Sequence, residues 1–474
     1  MTLPAAIAPG RVNIAFTDRT LEPNPTWTRL DDTPGLVASY TIDRGRQYEL
    51  DRTDGGRAQV TINDRYGLLD PTNPSSPFYG DIDPLKQITL GRYNPVAGEW
   101  QTRFRGFVSQ WNYLFHPSQQ VNVLTLDCVD VFDVLNVIQL LPPKPDGTIR
   151  FGDVPDYTDP VANTNAAAFI YYASRNVHDQ ITKLLGECGI PDAFWFIFTG
   201  NVTVVPQTYS PGETALALIQ EWVDAELPFV ANLYPDRFGR ACFHGRYAKT
   251  NPGSVAGSAG PAGWDWHEYQ VGDGFQVLVN PTQVAQIREF AFQRGYSQVV
   301  NSALCTPLLV AAGAAWRPPT TIELAGQLVE DAGSGSSQDL YGIRSWSAQS
   351  LLTGHGIATG NNALQETKAF AQYYVDNYKT PRNRISQLGF RSMQPGQPGA
   401  GYLWLFITKV DIADQIDVTI SSPGGGGFSG GGPDGKFFVE GVHETSSPAA
   451  GLYDDVTLTL DVSPASYYST IPPT

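Results

Sequence analysis

Charged residues are scarce in this chain: Asp, Glu, Lys and Arg together make up 16% of its 474 residues. Basic residues are the scarcer sign, 31 against 47 acidic, giving a formal net charge of −16. Stable binding to phosphate needs clustered Lys and Arg, so this balance excludes a general binder of nucleic acid or of an anionic membrane. Cysteine is also sparse. Cys128, Cys188, Cys242 and Cys305 are widely separated and form no CxxC pair. That excludes a zinc knuckle and a dense disulfide frame, and points to buried free thiols. No run of about 18 apolar residues occurs, and the opening MTLPAAIAPGRVNIAF has no basic stretch ahead of an apolar one. The expectation is no visible export signal and no stable membrane insertion. His116, His178, His244, His267, His355 and His443 are isolated, none in HxxxH or HExxH spacing. A zinc centre or a Ser/His/Asp set therefore has no local signature.

What the chain does have is apolar mass and turn formers. Its 42% hydrophobic content allows sizeable cores and its length about two to four domains. With few charges, 47 Gly, 36 Pro and 12% aromatics, much of the surface must be polar and aromatic, as in proteins that pack into large assemblies. The dominant period is two. Ala58, Val60 and Ile62 alternate with polar neighbours, as do Val456, Leu458, Leu460 and Val462, which predicts half-buried strands. Further strands are predicted at 88–93, 102–113, 121–129, 229–233, 240–244, 416–420 and 437–443. Turn clusters such as TDGG at Thr53–Gly56 and PDRFG at Pro235–Gly239 favour antiparallel hairpins.

Helices are few. Ser210-Pro211-Gly212-Glu213 reads as a capping box with proline at the first helical position, followed by Leu216, Ile219, Trp222 and Val223 on one face. A shorter helix carries Val177, Ile181, Leu184 and Leu185 after Ser174. A third is predicted over 362–378, ahead of Pro381. The linkers differ in kind: LPPKPDG at Leu141–Gly147 is stiff, NPGSVAGSAGPAG at Asn251–Gly263 is flexible, and 421–435 is a long glycine loop. The pattern predicts a mainly β, multidomain protein, with small barrels or sandwiches around an α+β middle region and a few amphipathic helices. Residues 1–141 form a first β domain, 142–250 the α+β part, and 251–474 a second β region with the 362–378 helix and the glycine loop inserted.

Apparent catalytic motifs fail on scaffold. Gly430 to Lys436 has the letters of GxxxxGK, but Phe437 replaces the magnesium-holding hydroxyl and a strand follows where a helix is required. Gly427 to Gly431 matches GxSxG by letter, yet glycine and proline follow it, so there is no nucleophile elbow. Asp411 with Asp414, or Asp454 with Asp455, could serve glycoside hydrolysis, although Asp454 and Asp455 sit where aspartate caps a turn. Asp51, Asp54 and Gly55, like Asp64, Gly67 and Asp70, read as turn formers and lack the ligand alternation of a calcium loop. Phe194-Trp195-Phe196 reads as core, and Trp264-Asp265-Trp266 as a surface platform. No catalytic, cofactor or metal residue is assigned.

The stretch INDRYGLLDPTNPSSPFYG, Ile62–Gly80, opens as a strand and then stalls on prolines. Together with YELDRT at Tyr48–Thr53, AQVTINDR at Ala58–Arg65 and DPLK at Asp83–Lys86, it resembles the N-terminal barrel of minor tail proteins of long-tailed actinobacteriophages. FRGFV at Phe104–Val108 and LTLDCVDVFDVL at Leu124–Leu135 are similar to the segments completing the first barrel of baseplate and tail-tip hub proteins. VHDQI at Val177–Ile181, ETALALIQ at Glu213–Gln220, LYPDRFGRACF at Leu233–Phe243 and YGIRS at Tyr341–Ser345 keep that family's order. ADQIDVT at Ala413–Thr419 does too, with alanine where the family has glycine.

The resemblance implies a structural, non-enzymatic virion protein without cofactors, located at the phage tail tip and assembled in the host cytoplasm. Two hub-type β-barrels per subunit and a homotrimer would form a ring beneath the distal tail protein. The hub would join that protein and the tape-measure protein to distal tip or fibre proteins, and DNA would transit its channel without specific binding. Asp70, Pro71, Pro74, Pro77, Phe78 and Tyr79 are the candidate assembly-contact loop. Three prolines limit its unfolded freedom and two aromatics supply anchoring area. A strap over the end of the chain's own β domain is the alternative. Other readings are a hexameric distal tail protein, which the helices at Val177 and Glu213 disfavour, and a component that binds or hydrolyses cell wall.

Overall fold

The computed structural model describes residues 10–30, 36–116, 121–141, 149–153, 170–198, 200, 202–204, 206–227, 230–250, 266–310, 321–323, 326–350, 361–381, 384–420, 435–448 and 454–470. The linkers at 142–147 and 251–263, Trp264, His355 and the glycine loop at 421–434 lie outside them.

The period-two segments become strands. Those of the N-terminal part are β1 Arg11–Ile14, β2 Thr28–Arg29, β3 Val37–Gly45, β4 Asp54–Asn63, β5 Gln87–Asn94, β6 Glu99–His116 and β7 Val121–Val129. They pair in the order β3-β4-β7-β6-β5-β1-β2, and all these ladders are antiparallel. Val60, Ile62, Leu124 and Leu126 point inward to one core with Tyr40, Ile88, Leu90 and Phe104.

The middle of the chain contributes β8 Ile170–Tyr172, β9 Arg175–Asn176, β10 Trp195–Ile197, β11 Thr203–Val204, β12 Gln207–Tyr209, β13 Asn232–Pro235 and β14 Ala241–His244. Helices Val177–Glu187 and Ala215–Asp224 pack among them, burying Ile181, Leu184, Leu218 and Trp222. The expected capping box is corrected. Gly212 has φ +101, outside the helical region. The backbone at 212–215 is instead tied to Ile138 and Leu140 by Gly212 N to Leu140 O, Leu140 N to Glu213 O and Ala215 N to Ile138 O. The helix starts one turn later, with Thr214 as its cap. The other helix is capped by Asn176.

The C-terminal part holds β15 Glu268–Gly272, β16 Val284–Gln286, β17 Glu289–Gln293, β18 Ser302–Val310, β19 Thr321–Glu323, β20 Gln327–Glu330, β21 Ser345–Ser350, β22 Arg384–Arg391, β23 Gln415–Thr419, β24 Gly435–Pro448 and β25 Asp454–Pro464. β18 to β21 form a separate sheet, and helix Asn361–Tyr378 packs on β18 and β20. The remaining strands run β17-β22-β25-β24, with β23, β15 and β16 branching from β24. A helix not expected from the sequence, Ala400–Lys409, buries Leu403, Trp404, Phe406 and Ile407 against this second core.

The mainly β, multidomain class is as the sequence predicts. Two closed barrels are not formed: among the described residues the N-terminal strands and, apart from β18 to β21, those of the C-terminal part belong to one 14-stranded sheet. The physical reason is β24. Its first half, Gly435–Phe438, pairs with β23, while its second half, Gly441–Ser446, pairs with β3. Glu440 is the extra residue of a β-bulge at the fork, where the strand re-aims toward its second partner.

Candidate assembly surfaces and the ionic seam

The proline loop is ordered by its own polar groups. Asp64 is buried and its carboxylate accepts from the amides of Leu68 (2.8 Å) and Leu69 (2.9 Å), so this aspartate builds a turn. Asp70 accepts from Thr72 N and Oγ1, and Asn73 Nδ2 donates to Gly67 O. Leu69 lies in the N-terminal core, and Phe78 stacks on buried Phe16 with ring centroids 4.1 Å apart. Tyr113 donates from its hydroxyl to Leu69 O, tying the loop to β6. Pro71, Pro74, Pro77 and Tyr79 remain exposed on its outer side. One face of the loop is thus a strap on the chain's own core, while the other offers rigid apolar groups to solvent.

Beneath the β3–β24 junction lies a seam of buried charge. Glu440 binds Arg46 (2.8 Å) and Lys249 (2.5 Å) and accepts from the hydroxyls of Ser463 and Tyr468. Glu444 binds Arg92 (3.0 Å) and Arg103 (2.8 Å), all three side chains being fully buried. Asp411 binds Arg44 (2.8 Å) and accepts from the amide of Arg237. The acids come from the C-terminal part and their cations from the N-terminal strands and the middle segment. Burial pushes the Glu440 carboxyl up, but Arg46 and Lys249 outweigh it and hold it at about 2. Glu444 is likewise lowered, as Arg103 and Arg92 outweigh burial. On the outer side of the junction, His443 bridges Asp43 (2.8 Å) and Asp461 (2.7 Å). Hydrogen bonds to Asp43 and then Asp461 raise it to about 10.

The outer face of the joined sheet is polar and continuous. One row of directly paired residues crosses both parts: Arg391, Thr457, Thr445, Thr41, Gln59, Asp127 and Gln110. Thr457, Thr445, Thr41, Gln59 and Gln110 are exposed. Asp127 is bridged by the amides of Gln59 and Asn112, and Asp455 is gripped by Arg391, so few charges there lack a counter-charge or donor.

Other sequence candidates fall into structural places. Asp414 is buried and Asp411 half-buried in the seam region, where Asp414 accepts from the amides of Asp411 and His267. Phe194 and Phe196 are buried in two different cores. Lys436 opens β24 and pairs with Glu268 (2.6 Å). Among the described residues no three His, Cys, Asp or Glu side chains are placed to hold a metal ion, and no helix is long and apolar enough to cross a membrane. The seam was missed in the sequence because FFVEGVHE reads as a strand; two glutamates on its inward face were the available signal.

No protein-family model and no curated protein matches the sequence. Among the solved structures similar to it along most of its length are three tail proteins. A tail protein from Neisseria meningitidis MC58 is 10% identical, with TM-score 0.48, over 98% of this chain and 99% of its own. The 43 kDa tail protein of prophage MuSo2 from Shewanella oneidensis is 11% identical, TM-score 0.47, over 97% and 99%. A prophage tail protein from Listeria monocytogenes EGD-e is 10% identical, TM-score 0.39, over 95% and 94%. At this level of similarity no function transfers to the chain.

Proposed function

We infer that this chain is a structural virion protein forming the trimeric hub of a phage tail tip. It would join the distal tail protein and the tape-measure protein above to tip or fibre proteins below. The observation that carries the reading is the β3–β24 junction. A continuous ladder and a buried ionic seam hold the two β regions as one rigid plate, as a load-bearing ring segment requires. The hydroxyl- and amide-rich outer face supports a role as channel wall, since it offers a passing polyanion few cations to hold. The outer side of the Asp70–Tyr79 loop supports an assembly contact, because preset prolines and exposed Tyr79 lose little freedom on docking.

Light scattering of the purified chain at low and high concentration tests this reading. A trimer is expected. A hexamer moves the chain to the distal tail ring, and hydrolysis of purified host wall by the chain contradicts a purely structural role.

A further inference from the structure

The two β regions have separate apolar cores. One draws only on residues between Val12 and Cys128, the other only on residues between Phe196 and Val462. Regions with cores of their own ordinarily open separately, and the one synthesised first closes first. Three ties oppose that here. β24 is shared, pairing with β23 and β25 on the C-terminal side and through Gly441–Ser446 with β3. The carbonyls ending helix Ala400–Lys409 are held by guanidinium groups of the other two parts: Arg103 Nη1 donates to Val410 O at 2.8 Å and Arg237 Nη1 to Lys409 O at 2.6 Å. A third core takes Phe107 and Phe132 from the N-terminal part, Trp222 from the middle, and Phe438 and Tyr468 from the C-terminal part.

The seam gives these ties a direction along the chain. Its cations, Arg44, Arg46, Arg92, Arg103 and Lys249, all precede Thr250, whereas their acids are Asp411, Glu440 and Glu444. Arg46 also feels Glu49 of its own part, but Glu440 acts on it more strongly. A guanidinium cannot shed its charge, so the arginines must stay hydrated until the acids reach them. Arg92 and Arg103 are fully buried in the finished sheet, and that packing is closed to them while Glu444 is absent. The Tyr40–Gly45 edge of β3 lacks its ladder neighbour for just as long.

We propose that β24 is the closing piece of a single folding unit: the N-terminal β region reaches its native state only when β24 docks, and the two β regions open together. Splitting the molecule along the junction would rehydrate the ions, but it would also break the β3–β24 ladder and divide the third core, so the opening of one region carries the other with it. The device acts as a check on completeness. On the reading of the chain as a tail hub, on which this consequence rests, an incomplete chain presents no native surface for assembly even though its N-terminal region is synthesised first.

Native-state hydrogen exchange of the full-length chain in mild denaturant tests this, read at β7 and β22, neither of which pairs with a strand of the other part. The two strands are expected to show one opening constant and one denaturant slope. Leu458→Ala, a fully buried change confined to the C-terminal core, is expected to speed exchange at β22 by about a hundredfold and at β7 by the same factor. Ile62→Val in the N-terminal core is milder and keeps the chain folded; it is expected to speed both strands by about fivefold. A variant that speeds one strand and leaves the other untouched overturns the single unit. A Glu444→Ala chain with β7 unprotected is expected to stay monomeric in light scattering, and a trimer of such chains overturns the check on completeness. A native trimer whose β7 and β22 open independently overturns the single unit and leaves the hub reading standing. A native chain that is monomeric at every concentration while β7 and β22 open together supports the single unit and overturns the hub reading.

Discussion

Gly45 and Gly441 sit directly opposite each other in the β3–β24 ladder, at the point where the sheet divides. Gly45 has φ +96, and a Cβ there would lie 2.2 Å from the carbonyl oxygen of Glu440. The same oxygen accepts from Arg46 N at 2.9 Å, so the strands cannot draw apart without losing that bond. Gly45→Ala is expected to destabilise the chain by about 2–3 kcal/mol, combining left-handed strain with the clash. Chemical denaturation checks this, and a loss under about 0.5 kcal/mol would show that the fork tolerates a side chain.

Glu444 neutralises two buried guanidinium groups at once. Glu444→Ala removes the carboxylate that Arg92 and Arg103 share in a fully buried site, with an expected loss of about 3–5 kcal/mol. Replacing Glu444, Arg92 and Arg103 together by apolar residues of similar volume is expected to cost less than the single change, since no uncompensated charge remains. The reverse order in a denaturation series would mean that the ion triad itself stabilises the seam.

The seam and its outer clamp titrate at opposite ends of the pH scale. Glu440 is lowered from 4.5 to about 2, so its contribution is complete above pH 4.5 and is lost as pH falls toward 2. His443 is raised from 6.5 to about 10, so its contribution is complete below pH 6.5 and is lost as pH rises through 10. The melting-temperature gap between the native chain and Glu440→Gln is therefore expected to shrink in acid, and also above pH 8, where Lys249, lowered to about 8 by burial, loses its charge. The gap to His443→Asn is expected to shrink in alkali, and also in strong acid, where Asp43, held below its usual value by His443, takes up a proton. Parallel profiles for native and variant chains would contradict these assignments.

Ala413 occupies a conformation suited to glycine. Its φ is +72, and its amide donates to Val439 O at 2.9 Å, holding the turn ahead of β23. Ala413→Gly is expected to stabilise the chain by about 0.5–1 kcal/mol, the relief of left-handed strain exceeding the added freedom of the unfolded chain. A lower denaturation midpoint in the glycine variant would refute this.

The two sides of the proline loop are separable by substitution. Phe78→Ala removes the ring stacked on Phe16 and is expected to lower stability by about 2–3 kcal/mol. Tyr79 is 56% exposed, so Tyr79→Ser is expected to change stability by less than about 0.5 kcal/mol while weakening self-association in concentration-dependent light scattering. Equal association by native and Tyr79→Ser chains would remove the outer side of the loop from the interface.

Strand positions were largely legible because a half-buried strand writes its burial into every second residue. Ala58 to Asn63 and Val456 to Val462 show this, and both lie where the alternation places them. Helix Asn361–Tyr378 was legible for the corresponding reason, its buried positions recurring at helical spacing. Helix Ala400–Lys409 was not. AGYLWLFITK is rich in aromatic and β-branched residues that favour strands, and packing against β5, β6 and β16 overrides that preference. The start of helix Ala215–Asp224 was misread because the letters of a capping box lie in a turn that residues 138–140 tie down ahead of the helix.

By itself the sequence determined the local periodicities, the mainly β class, the low-charge surface and the turn chemistry of Asp64 to Gly80, because each of these is set by neighbours within a few residues. The tertiary structure alone decided that β24 serves two sheets, and that Glu440, Glu444 and Asp411 meet cations up to 394 positions away along the chain. Ladder partners and buried ion pairs are chosen by long-range register and desolvation, and neither leaves a trace in the spacing of adjacent residues.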